Sequence, residues 1–226
     1  MQVVVDTHRR FTELSVVYTN NPIWVEHSIH IMELLLAEEK YKVVGSDLEY
    51  TRTRAGSHPM VAIAHMCVRN HVLVYHYGLA TRPCRHFARF VNNPNYMFAM
   101  VDITNDVNVL KNSGITCQNL VNIQGQYKIR GSKEHGKDSL VHLAMAIIDP
   151  YYKDLKDSCN KDKRVWHSAW MEKLDKPHVV YTAKETYTCY NMYMRIVDMR
   201  KCLHPQNGQG SSRKQRNGKC LRNFGV

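Results

Sequence analysis

The chain lacks any apolar run approaching the ~20 residues needed to cross a bilayer, so no membrane span is expected. Its opening residues, MQVVVDTHRR, lack the apolar core of a secretory signal, and classical secretion is not expected either. Zinc-type spacing is missing: the seven cysteines (Cys67, Cys84, Cys117, Cys159, Cys189, Cys202 and Cys220) are odd in number and scattered, with no CxxC among them. They read as reduced thiols of a nuclear or cytoplasmic protein. Hydrophobic content of 44% and charged content of 23% exclude wholesale disorder and collagen-like repeats.

Acidic residues are also missing from one end. Arg200 to Val226 holds seven basic residues and no acidic one, which leaves only +4 of the net +11 for residues 1–199. After Pro205 the chain is polar and glycine-rich (NGQGSSRKQRNGKCLR). Two regions follow: a domain over 1–202, long enough to bury a full core, and a basic, flexible tail over 203–226. The tail suits a polyanion such as nucleic acid, a solubilising role or nuclear import.

The pattern along the body is mixed α/β. Val3–Val5 and Arg10–Thr19 read as strands, and Asn20-Asn21-Pro22 as the opening of a helix. Lys42–Tyr50 reads as a strand, and Pro59–Arg69 and Asn70–Tyr77 as a strand pair turning at Arg69-Asn70. A short helix from Pro83, a strand over Asn95–Ile103, and helices over Asp106–Asn112, Ser139–Ile148 and His178–Arg200 complete the set. In the last helix Val180, Ala183, Tyr187, Tyr190, Met194 and Val197 form the expected packing stripe. Three adjacent strands followed by alternating helix and strand predict one mixed sheet with helices on both faces.

The segment VVGSDLEY carries the first chemical signal. Side chains two apart on a strand share a face, so Asp47 and Glu49 stand side by side while Leu48 enters the core. A pair of this kind is either a solvated strand end or half of a hard-cation site, where the ion relieves the repulsion between the acids. Asp106 lies where a strand passes into a helix, as a dipole cap or a further ligand. Tyr181 and Glu185 are four apart on the last helix and share a face.

In this order the segments resemble the Werner-type branch of the DEDD 3′–5′ exonucleases, relatives of ribonuclease D, over about Trp24 to Ile196. VVGSDLEY looks like the first exonuclease motif, FAMVDITNDVNVL like the second and KPHVVYTAKETY like the third. HPMVAIAHMCVRNHVLVYHY resembles the intervening strands, with His65 where a glutamine is usual, and GKDSLVHLAMAI and SAWMEKLD resemble the approach to the third motif. The chain is most similar in character to the divergent members found in plants. The third motif of the family is tyrosine, three residues, then aspartate; here Glu185 stands at the aspartate position.

The resemblance implies an α/β, ribonuclease H-like fold with a mixed sheet flanked by helices. It implies hydrolysis of phosphodiester bonds at DNA or RNA 3′ ends with two Mg²⁺ or Mn²⁺ ions. Asp47, Glu49, Asp106 and Glu185 then stand in metal-ligand positions, with Asp47 bridging both ions and Tyr181 orienting the attacking water. The alternative implied by Glu185 is a weakened or inactive exonuclease fold that binds nucleic acid or a protein. Arg52 and Arg54, directly after the first motif, are either phosphate contacts or solvated loop residues. Arg213, Lys214 and Arg216 are the tail's candidate nucleic-acid contacts. Self-association and the choice between nucleus and cytoplasm stay open.

Overall fold

The computed structural model describes residues 1–7, 10–51, 58–131, 138–153 and 170–203. Arg52 and Arg54, and the tail residues Arg213, Lys214 and Arg216, lie outside them. Seven strands form one mixed sheet: β1 (Gln2–Thr7), β2 (Arg10–Thr19), β3 (Val43–Thr51), β4 (Met60–Val68), β5 (His71–Tyr75), β6 (Met97–Met100) and β7 (Leu120–Asn122). Their spatial order is β1-β2-β5-β4-β3-β6-β7. The β3-β4-β5 meander is antiparallel; β2 joins β5 in parallel and carries β1 antiparallel on its outer side, while β6 and β7 follow β3 in parallel. Arg69 makes the β4–β5 turn at φ 54°, and its guanidinium is anchored by Glu38 and Glu39.

Alternation along the central strands supplies two apolar faces. Val44, Leu48, Met66, Leu73 and Phe98 pack against α1 (Pro22–Glu38), α2 (Arg85–Val91) and α3 (Ile103–Asn112). The opposite face, with Val43, Ala62, Ile63, Cys67 and Ala99, is covered by α4 (Leu140–Ile147) and α5 (Lys176–Leu203). The expected sheet with helices on both faces is the observed fold. Capping follows the sequence: Asn21 and Ser139 accept from the first turns of α1 and α4, and Gly114 leaves α3 at φ 68°.

Two expectations shift. The strand over Asn95–Ile103 is only Met97–Met100, because Asp102 turns the chain left-handed at φ 59° and α3 begins at Ile103. Asp106 therefore sits within the first turn of α3.

The packing face of α5 is also displaced from the apolar stripe. Its fully buried seam holds Thr182, Ala183, Thr186, Cys189 and Met192, while Val180, Tyr187 and Tyr190 are only half-buried. The threonines are accommodated because their hydroxyls find backbone carbonyls: Thr186 Oγ1 donates to Gly45 O at 2.8 Å and Thr182 Oγ1 to Val179 O at 3.1 Å.

Candidate active site

The position of the site is set by the contact between β3 and α5. A Cβ on Gly45 would lie 2.3 Å from Thr186 O and 2.4 Å from Tyr190 N, so the helix backbone can rest on the strand only where the strand has no side chain. Two residues further along β3, on the same face, Asp47 emerges, and two beyond it Glu49. The register pairs Asp47 with His65 and Glu49 with Ile63 on β4, and a bulge between Glu49 and Tyr50 ends the regular pairing.

His65 ties β4 to the same helix. Its Nδ1 lies 3.1 Å from Thr182 O, and its own carbonyl accepts from Ser46 Oγ at 3.2 Å and Thr186 Oγ1 at 3.4 Å. Burial pushes its pKa down to about 3, with the bond to Thr182 opposing, so the ring is neutral. Its Nε2 is buried with no hydrogen-bond partner among the described residues. His65 stands behind the cleft and does not line it.

One cleft of about 470 Å³ brings together all five residues expected to carry the chemistry: Asp47, Glu49, Asp106, Tyr181 and Glu185. Glu49, Asp106 and Glu185 expose only 8%, 5% and 6% of their surface, yet all are acids. Burial raises the Glu49 pKa well above its ordinary value, and the fields of Glu185, Asp47 and Asp106 add to the shift. Asp106 is pushed up to about 8 by burial and then by Asp47 and Asp102. Tyr181 donates to Glu185 Oε1 at 2.5 Å; burial and the same acids raise its pKa, so the phenol keeps its proton.

Buried acids that crowd one another are a natural place for a hard cation. The acidic donors lining the cleft are all carboxylates, with no histidine or cysteine beside them, which favours Mg²⁺ or Mn²⁺ over zinc. The residues fit such ions in chemistry, but they are not drawn up around one. Among the described residues no three acidic, histidine or cysteine side chains form a ready-made ligand group.

Three contributors were not legible as site residues. Gly45 positions α5; a glycine inside an apolar strand is a known mark of close backbone approach, so the signal was present. Asp102, exposed at the cleft edge, adds a fifth carboxylate from a left-handed backbone position that no pattern announces. Asn105, in the first turn of α3, lines the cleft as well. Arg82, Arg85 and Arg89, three and four apart in sequence around the start of α2, are solvent-exposed and do not line this cleft.

A family profile described as 3′-5′ exonuclease matches residues 22–200, nearly the whole described body. The chain belongs to the 3′–5′ exonuclease family, and its fold is that of a DEDD exonuclease domain. No curated protein sequence matches it. Among solved structures it is similar to the Nibbler EXO domain of Aedes aegypti, at 12% identity and a TM-score of 0.60 over 84% of this chain and 92% of that one. Escherichia coli RNase D, described as an exoribonuclease involved in structured RNA processing, matches at 14% identity and a TM-score of 0.64 over 84% of this chain. Trypanosoma brucei RNase D in complex with RNA U12 matches at 14% and 0.58, over 81% of this chain and 62% of that one. The chain spans 46% of the length of the E. coli enzyme. At these identities the likeness is one of fold.

Proposed function

We propose that the chain is a divalent-cation-dependent 3′–5′ exonuclease that hydrolyses phosphodiester bonds at DNA or RNA 3′ ends. The observation that carries this reading is the convergence of Asp47, Glu49, Asp106 and Glu185 with Tyr181 in one cleft of a 3′–5′ exonuclease fold. Asp47, Glu49, Asp106 and Glu185 would hold two Mg²⁺ or Mn²⁺ ions. Such a pair, when bound, activates water and stabilises the departing oxygen of an in-line displacement.

The chain's own groups do the rest. Tyr181 keeps its phenolic proton and, once released from Glu185, holds a water by hydrogen bonding beside the scissile phosphate. Buried Leu48 and half-buried Val101 form the apolar part of the cleft wall and limit the water that reaches the bond. The tail over 203–226, a region distinct from the domain, adds phosphate contacts through Arg213, Lys214 and Arg216, with Arg52 and Arg54 beside the first motif. The RNA complex of the trypanosomal relative supports a nucleic-acid substrate for this fold.

A second reading has two observations among the described residues in its favour. With no ready-made ligand group and Glu185 engaged by Tyr181, the fold would serve as a nucleic-acid or protein binding module with weak or absent cleavage. Cleavage decides between them, and its polarity tests the first. A 5′-labelled single strand with Mn²⁺ should shorten one nucleotide at a time, and a 3′-terminal inverted nucleotide should stop it. A label released first from the 5′ end would exclude the proposed polarity.

A further inference from the structure

The sheet ends on β1, which pairs with β2 on one side and, among the described residues, with no strand on the other. The direction of its backbone groups follows from one pair. Met1 N donates to Val16 O at 2.6 Å and Met1 O accepts from Val16 N at 2.8 Å, so these two residues exchange both bonds. Such pairs alternate along an antiparallel ladder, and Val3, Val5 and Thr7 therefore turn their N–H and C=O groups toward β2. Gln2, Val4 and Asp6 turn theirs outward, along an open edge.

Proteins that stay single blunt such edges with lysine, proline, a bulge or a very short strand. β1 uses none of these. Its register to β2 runs unbroken from Gln2–Ser15 to Thr7–Arg10, and at six residues it has an ordinary strand length. Gln2 to Val5 carries no charge and no proline. Val3 and Val5 are buried in the apolar cluster under α5, whereas Val4, on the opposite face, is 41% exposed. The exonuclease profile begins at residue 22, so this edge lies outside the part of the chain that the family match covers.

We propose that β1 pairs with β1 of a second copy of this chain, antiparallel about a two-fold axis through Val4. The outward groups select both the partner and the register, because this edge is complementary to itself. With Val4 opposite Val4, Gln2 of each copy faces Asp6 of the other, and every outward N–H and C=O of both strands finds a partner. A slide that set Asp6 opposite Asp6 would place like charges together. The chosen register covers the exposed Val4 with its own copy. It also sets Val3 beside Val5 of the other copy, which extends the buried apolar face across the axis. The two sheets become one continuous sheet. β3 stands four strands in from β1, so both carboxylate clefts stay open, roughly 40 Å apart at ~4.8 Å per strand. One strand pair makes a small interface, and the association is therefore reversible. None of this depends on the exonuclease reading.

The test is sedimentation velocity and light scattering on the full chain over a concentration series. The wild type should show a monomer–dimer equilibrium with a dissociation constant on the order of 10 µM. Val4→Pro removes only an outward donor and leaves the β1–β2 ladder intact. Val4→Lys keeps the backbone and sets two like charges on the axis. Each should raise the dissociation constant about tenfold or more, with circular dichroism unchanged. Val4→Cys should give a disulfide-linked dimer on mild oxidation, above the wild-type background, since opposed Cα atoms ~5.5 Å apart lie within the ~4.4–6.8 Å that a disulfide spans. Gln2→Cys should not, because the two copies of residue 2 lie ~14 Å apart in this register. A wild type that stays monomeric up to about 100 µM overturns the proposal. So does a dimer that both Val4→Pro and Val4→Lys leave unchanged, or equal crosslinking at positions 2 and 4.

Discussion

The Tyr181 hydroxyl donates a 2.5 Å hydrogen bond to Glu185 Oε1 across one turn of α5. An aspartate at 185 would end about one bond length nearer the helix axis and leave the phenol free. The substitution at the third motif therefore engages two groups that the proposed chemistry needs separately: one as a cation ligand, the other as a holder of water.

Glu185→Asp should accordingly raise kcat, by up to about 10²-fold, since a misplacement of about 1 Å in a reacting group costs on that order. The gain should be larger with Mg²⁺, which demands stricter octahedral geometry than the softer sites tolerate. Rates measured at saturating Mn²⁺ and then Mg²⁺ check this. A clear loss with both metals would show a site adapted to glutamate.

Gly45→Ala should destabilise the domain by about 3 kcal/mol, at the upper end of the cost of overpacking a filled core, because the atoms it meets are helix backbone. Urea unfolding with an unchanged m-value is the measurement. A change below about 0.5 kcal/mol would mean that α5 does not rest on β3 as described.

The acids and the buried histidine give opposite pH dependences. Asp106 has its folded-state pKa raised from 3.8 to about 8, so its share of stability is fully present below about pH 4 and is lost as pH rises through about 8. In EDTA, the stability of Asp106→Asn relative to wild type should therefore improve steadily from pH 4 to 8, at up to about 1 kcal/mol per unit. Thermal or urea unfolding across this window provides the test; a flat difference would contradict the buried, repelling cluster.

His65 acts in the other direction. Its pKa is lowered from 6.5 to about 3, so its contribution is present above pH 6.5 and lost as pH falls toward 3. His65→Gln, which keeps a donor for Thr182 O, should make the domain more resistant to acid between pH 6.5 and 3. Equal acid sensitivity in both proteins would place His65 in contact with water.

Much of the architecture was readable because the sequence and the fold agree locally. The strand pair turning at Arg69-Asn70, the helix opened by Asn21-Pro22 and the acids two apart on β3 all follow from period and residue type. The face of α5 was misread for a physical reason. Hydrophobic periodicity points to Val180, Ala183, Tyr187 and Tyr190, of which only Ala183 is fully buried; close approach to β3 selects small or self-satisfied side chains and adds Thr182 and Thr186 at the contact. The start of α3 was placed late because Asp102, not a glycine, supplies the left-handed turn. The three-residue β7 is too short to leave a pattern.

The central claim is that the Asp47–Glu49–Asp106–Glu185 cleft is a nuclease site, and the most direct measurement is cation-dependent cleavage by wild type and Asp47→Ala side by side. Labelled single-stranded DNA and RNA are incubated with each protein in Mn²⁺, Mg²⁺ or EDTA. The wild type should shorten at least one of the two strands with Mn²⁺ and neither in EDTA. Asp47→Ala should be inactive throughout, yet as thermally stable as wild type without metal, because removing one crowded acid relieves repulsion. Undiminished, EDTA-sensitive cleavage by the variant, or no cleavage by the wild type of either strand with either metal, would contradict it.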